Sequence, residues 1–172
     1  MTNTLPLNLS FSPIANYDAS ILILGSMPSV KSLEQQQYYA HPRNAFWPIM
    51  SVLFDMVHGL DYEKRCKKLM DNHLAVWDVL KACQRQGSLD QHIDAASMII
   101  NDFNLFLTQH PNITKIIFNG TKAEQVFNRH VLPTLTEQQT AIVRLRLPST
   151  SPAHASCSLE DKLNIWRQAL LN

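Results

Sequence analysis

Residues 19–24 read ASILIL and stop at Gly25. A short apolar run rich in isoleucine and closed by a glycine reads as a buried strand. The chain supplies three more candidates. These are 73–79 (HLAVWDV), 113–118 (ITKIIF, closed by Asn119 and Gly120), and 141–147, where Arg144 and Arg146 alternate with other residues before PSTSP at 148–152 breaks the run. Helical patterns lie between them. Asn44 reads as an N-cap for a helix carrying Phe46, Trp47, Met50, Leu53 and Phe54, with Pro48 in the tolerated first turn. Residues 61–71 form a lysine- and arginine-rich helix with a solvated face. Asn101 caps a helix with Phe103, Phe106 and Leu107 that ends near Pro111, and Thr121 with Glu124 gives a capping-box pattern. Ser158 caps a last helix with Leu159, Leu163, Trp166 and Leu170. Residues 26–43 and 84–91 read as polar loops. Strands alternating with helices predict the α/β class: a single domain over residues 1–172, built as a three-layer α/β/α sandwich around a central four-stranded, mostly parallel sheet.

Composition narrows the function. The 172 residues suffice for one well-buried core, and 45% hydrophobic with 17% charged is ordinary for a globular chain. A formal net charge of +1 gives no global basic field, so any affinity for nucleic acid must be local. The three cysteines (Cys66, Cys83, Cys157) form no CxxC pair, and the seven histidines form no i, i+4 ligand pair. The expectation is no metal, no disulfide framework and a reducing, cytoplasmic setting, at the nucleoid in a bacterium. There is no signal-peptide pattern at the N-terminus, and no apolar run approaches the ~20 residues of a membrane span. GxGxxG, GxxxxGK[ST] and GxSxG are all missing, which argues against nucleotide cofactors and a serine nucleophile elbow.

Parallel sheets bind ligands at the carboxyl ends of their strands. The four exits carry Gly25-Ser26-Met27-Pro28-Ser29, Trp77-Asp78, Asn119-Gly120 and Pro148-Ser149-Thr150-Ser151-Pro152. This neutral, polar set suits a reaction that needs hydrogen bonds and positioned water. Residues 38–47 (YYAHPRNAFW) add four aromatics beside His41, Arg43 and Asn44, a combination suited to stacking a base and holding a phosphate.

GSMPS at 25–29 followed by YYAHPRNAFW resembles the first motif of the mismatch-specific uracil and thymine DNA glycosylases. The string from Gly25 to Trp47 is closer still to the hypoxanthine-DNA glycosylase branch of the uracil-DNA glycosylase superfamily. VWDVLKACQRQGSLD and IIFNGTKAE resemble the same branch, and LPSTSPAHA resembles the second, minor-groove motif. The resemblance covers residues 20–156. It implies a cofactor-free and metal-free monomer that excises a flipped deaminated base from DNA, hypoxanthine first and uracil as the alternative. A non-enzymatic nucleotide- or DNA-binding module and a protein-binding domain are the rival readings.

Two departures matter. The family's usual catalytic Asn falls on Met27, whose thioether cannot align water, and the branch uses instead the position of Asn44. The histidine that leads the second motif in the uracil enzymes is Leu147 here. Asn44 is accordingly expected to hold water or to bond base or sugar, unless it is only a cap. Asp78 is expected to accept a base N–H or act on water, unless it too is a cap. Tyr39 would stack on the base. Gly25, Ser26, Met27, Pro28, Phe46 and Asn119 are further base-binding candidates, with core packing the alternative for Phe46 and turn chemistry for Asn119. Lys31, Arg43, Ser149, Thr150, Ser151, Pro152, Ala153 and His154 are the expected DNA contacts.

Overall fold

The computed structural model describes residues 5–172. In chain order the elements are β1 (Leu7–Leu9), β2 (Ile21–Gly25), α1 (Val30–Gln35), α2 (Phe46–Leu53), α3 (Tyr62–Asp71), β3 (Leu74–Asp78), β4 (Leu80–Gln84) and β5 (Ile99–Ile100). There follow α4 (Phe103–Gln109), β6 (Lys115–Asn119), α5 (Thr121–Val126), α6 (Glu137–Thr140), β7 (Val143–Leu147) and α7 (Leu159–Leu171).

The central sheet has the order β3-β2-β6-β7, and every neighbouring pair is parallel. β3 and β7 fall inside the runs expected from sequence, and β2 and β6 overrun theirs by one residue, to Gly25 and Asn119. The register aligns Trp77, Leu24, Phe118 and Arg146 in one row. Side chains alternate along a strand, so this row faces one layer and the next row faces the other. On the Trp77 side, Phe103 and Phe106 of α4 lie 5.0 and 4.8 Å from the indole, and Arg146 bonds Glu124 of α5 at 2.9 Å. On the opposite side α2 packs against α7, with Phe46 meeting Trp166 edge-on at 6.3 Å. Leu22, Ile23 and Leu24 are wholly buried between the layers. Burial on both faces is what selects a continuous apolar strand over an alternating one.

The structure adds elements that periodicity did not reveal. The chain leaves β3 at Asp78, passes Val79, and enters a second sheet of order β1-β4-β5, antiparallel throughout. Within the expected loop 26–43, Ser29 caps α1, its hydroxyl accepting from the Ser32 N–H at 3.1 Å. A six-residue helix is too short to show an apolar period. Three expected caps shift. Ala45, not Asn44, occupies the N-cap of α2, although Asn44 Oδ1 still accepts the Phe46 N–H at 2.9 Å. Asp102, not Asn101, caps α4. The Thr121–Glu124 capping box does not form: Gly120 is the N-cap, at φ +99°, and Glu124 turns to Arg146 instead. The Ser158 cap forms as expected, as a full capping box with Asp161.

Candidate active site

The row beyond Trp77 and Phe118 aligns Asp78 with Gly25, and Asn119 with Leu147. It faces the α2 and α7 layer, where residues 38–44 lie. One cavity forms there, lined by Gly25, Ser26, Met27, Pro28, Tyr39, Asn44, Asp78, Asn119 and Ser149–Ser151. The four stretches picked out as strand exits therefore meet, and the aromatic loop closes over them.

Asp78 is the most constrained group. It is 3% exposed, and its Oδ2 accepts from the Ser10 hydroxyl at 2.9 Å. Its Oδ1 lies over Gly25, where a Cβ would come within 2.5 Å of that oxygen. Gly25 is needed for this close approach. Burial pushes the Asp78 carboxyl up to about 7; the Ser10 hydrogen bond opposes the rise, nearby Asp90 adds to it and Arg85 opposes it.

Tyr39 has a left-handed backbone, φ +56°, uncommon for a residue with a Cβ. That turn separates two adjacent tyrosines. Tyr38 goes into the core, where its hydroxyl donates to the Ser12 carbonyl at 3.1 Å. Tyr39 lines the cavity, one ring face stacked on Phe46 at 4.1 Å, and its hydroxyl is buried without a close hydrogen-bond partner among the described residues. Burial, reinforced by Asp78, holds that phenol well above its ordinary range. Phe46 is fully buried behind Tyr39, so the structure corrects its expected base-binding place. It backs the ring that lines the cavity and does not line the cavity itself.

Asn44 lines the same cavity. Its Oδ1 is occupied by Phe46 N–H, which leaves the amide NH2 as the end available to a ligand. Asn119 is engaged at both ends by Thr150: Nδ2 donates to Thr150 Oγ1 at 2.9 Å and Oδ1 accepts the Thr150 N–H at 2.8 Å. The Thr150 carbonyl in turn accepts from Ala45 N–H at 2.9 Å. Thr150 is 1% exposed, which corrects its assignment as a phosphate contact. It ties the 148–152 loop to the sheet and to α2, while Ser149 and Ser151 remain partly exposed on either side. Gly120 permits the tie, since a Cβ there would meet Ser149 Cβ at 3.0 Å.

Sequence reasoning missed one wall of the cavity. Ser88 and Asp90 line it from the turn after β4. Three hydrogen bonds lock that turn to the 26–30 loop. Ser26 Oγ donates to Asp90 Oδ1 at 2.6 Å, Val30 N–H donates to Ser88 Oγ at 2.9 Å, and the buried Arg85 donates to the Pro28 carbonyl. Arg85 also donates to the Gly87 carbonyl at 2.8 Å. Burial raises the Asp90 carboxyl and lowers the Arg85 guanidinium. The available signal was QRQGSLD, an arginine and an aspartate flanking a glycine turn, but the strand-exit rule looks only at exits.

Of the remaining DNA candidates, Arg43 is exposed and opens onto an adjoining groove with Lys162, whose ammonium donates to the His154 carbonyl at 2.9 Å. Pro152, Ala153 and His154 continue the loop outside the cavity. Lys31 lies on α1 in an ion pair with Glu34 at 3.2 Å. Among the described residues no cluster of three or more His, Cys, Asp or Glu has a metal-holding arrangement, and no helix is long and apolar enough to cross a membrane.

A parallel α/β/α domain with an acid, an amide and a stacked tyrosine at its strand exits matches known proteins closely. The family model for the uracil DNA glycosylase superfamily matches residues 12–170, and the chain belongs to that superfamily. A protein of Methanosarcina barkeri described as a hypoxanthine DNA glycosylase is 36% identical over 114 residues, 66% of this chain and 71% of that one. One of Methanosarcina acetivorans with the same description is 40% identical over 114 residues, with the same coverage. The solution structure of a uracil DNA glycosylase candidate from Methanosarcina acetivorans superposes with a TM-score of 0.76 at 31% identity, covering 97% of this chain and 100% of that one.

Proposed function

We propose that the protein is a DNA-repair glycosylase that hydrolyses the N-glycosidic bond of a flipped, deaminated base, hypoxanthine in deoxyinosine before uracil, as a monomer without metal or cofactor. The observation that carries the reading is the convergence of Tyr39, Asn44 and Asp78 on one cavity at the strand exits. A base inside a duplex is out of reach, so the nucleotide must be extruded into such a pocket. Cleavage leaves positive character on the sugar and negative charge on the base, and rate comes from groups aimed at both.

The Tyr39 ring, stiffened by Phe46, offers a flat face for the base. The Asn44 NH2 orients water or sugar; an amide is too weakly basic to abstract the proton itself. Asp78, as the carboxylate, is the acceptor for the proton of the attacking water and the counter-charge for the sugar. Ser149 and Ser151, with Arg43 outside, hold the phosphates that flank the extruded nucleotide. Met27 lines the cavity with an apolar thioether and contributes no polar side-chain group, which supports Asn44 over the first exit as the source of the orienting amide.

The test is product release from oligonucleotides carrying inosine or uracil, followed by alkali cleavage at abasic sites. The expected result is faster release of hypoxanthine, with Asn44→Ala losing about a hundredfold or more while the fold persists. Asn44→Asp keeps the acceptor for Phe46 N–H and should lose activity all the same. Faster uracil release would overturn the preference, and intact lesion strands after prolonged incubation would overturn the enzyme.

A further inference from the structure

We infer that Ser10 is a positioning residue of this active site: through its hydrogen bond to Asp78 Oδ2 it fixes the carboxyl plane so that Oδ1 faces the cavity over Gly25. The inference rests on the glycosylase reading above. It goes beyond that reading because Ser10 precedes residues 12–170, which the superfamily model matches, and none of the sequence motifs reaches it.

The geometry is that of a strap. β1 pairs with β4, and Ser10 N–H donates to the Lys81 carbonyl at 2.9 Å. The Phe11 carbonyl accepts from Trp77 Nε1 at 3.1 Å, the Ser12 carbonyl accepts from the Tyr38 hydroxyl, and Ile14 bridges to Val76. Every neighbour of Ser10 is thus tied to the main domain by backbone groups or large side chains. Among the described residues, Ser10 is the one whose side chain hydrogen-bonds the cavity's acid, at 2.9 Å.

A buried carboxyl with one oxygen bound is restricted to one rotamer and one plane, which is what orienting a water or a cationic sugar requires. The other groups around Asp78 do not replace this bond. Asp90 repels it, Arg85 attracts it from a distance while donating to the Pro28 and Gly87 carbonyls, and Tyr38, Tyr39 and Cys83 are neutral partners at physiological pH. Ser10 favours the ionised form, so its loss should delay ionisation to higher pH.

The experiment compares pH–rate profiles of single-turnover excision from inosine-containing DNA for wild type, Ser10→Ala and Ser10→Thr. The wild-type rate should rise with a midpoint near 7, the value to which burial lifts Asp78. Ser10→Ala should move that midpoint up by roughly half a pH unit or more, and Ser10→Thr, which keeps the hydroxyl, should restore it. The rate at pH 6.5 relative to pH 8.5 should then fall about twofold to threefold or more in the alanine variant alone. Titration of the Asp78 side-chain carboxyl by carbon-13 NMR gives the same comparison without catalysis. If wild type does not cleave, the function fails and the NMR arm still judges Ser10. Superposable profiles for wild type and Ser10→Ala would overturn the inference, as would a uniform loss of rate with an unmoved midpoint, which would make the strap merely structural.

Discussion

At the scale of one residue, Asp78 has a consequence for folding as well as for chemistry. Its folded carboxyl titrates near 7, far above the ordinary 3.8, because burial disfavours the charge more than Ser10 favours it. Between about pH 4 and 7 the unfolded chain has already lost that proton and the folded chain keeps it. The folded state binds more protons there, so stability falls as pH rises through the window, by at most about 4 kcal/mol for a shift of this size. The group is 3% exposed, so solvent screening takes little from that ceiling. Asp78→Asn removes the titration while leaving an oxygen for the Ser10 hydroxyl. In urea melts the variant should gain on wild type at pH 8 and much less at pH 5, while losing excision activity. A gap that does not grow with pH would mean that the buried acid carries no such cost. A site that tolerates a destabilising carboxyl is a site where function outweighs stability.

At the scale of elements, α7 shows how a remote helix shapes the site. Its capping box sets its start, and the fully buried Trp166 lies between Phe46 and the loop, with Nε1 donating to the Pro148 carbonyl at 3.1 Å. Trp166→Phe keeps most of the packing but strands that carbonyl, at a cost of about 1–3 kcal/mol. A lower urea midpoint together with weaker DNA binding is expected; unchanged DNA binding would show that Pro148 is held without it. The same contrast explains what was legible in the sequence. β2, β3 and β6 could be read because burial on both faces imposes apolar runs, while the edge strand β7, largely exposed, was read from Arg144 and Arg146 alternating with apolar residues. With the strands came the exits and therefore Gly25, Asp78, Asn119 and Ser149, while YYAHPRNAFW exposed Tyr39 and Asn44. β1, β5 and α1 could not be read, since two to six residues hold no period and their stability comes from partners far along the chain. Ser10, just after β1, was hidden for that reason, and Asp90 because it lies in a turn after β4 and not at an exit of the central sheet. Thr150 and Phe46 were read as ligand contacts, with core packing the alternative for Phe46, because residue type alone does not report which side of a loop or of the first turn of a helix faces inward.

At the scale of the whole molecule, the charge balance of 15 basic against 14 acidic side chains limits how DNA is held. Three of the four described ion pairs are local along the chain, Lys31–Glu34, Lys64–Asp61 and Lys67–Asp71, and these screen one another instead of building a field. On the proposed reading few phosphates are neutralised, and the affinity comes from the hydroxyl-rich loop, from Arg43 and from the extruded base. Each phosphate neutralised contributes about −0.9 to the slope of log affinity against log salt on duplex DNA. The slope for inosine-containing duplex should therefore be shallow, and Arg43→Ala should reduce it by about one while weakening lesion and undamaged duplex alike. Tyr39→Ala should do the reverse, leaving the slope intact and lowering affinity for the lesion duplex only, since a ring that stacks on an extruded base releases no counterion. Binding isotherms at several salt concentrations separate the two. If Arg43→Ala leaves the slope unchanged, the phosphates are held elsewhere, and if Tyr39→Ala lowers affinity for both duplexes equally, the ring contacts the backbone and not the base.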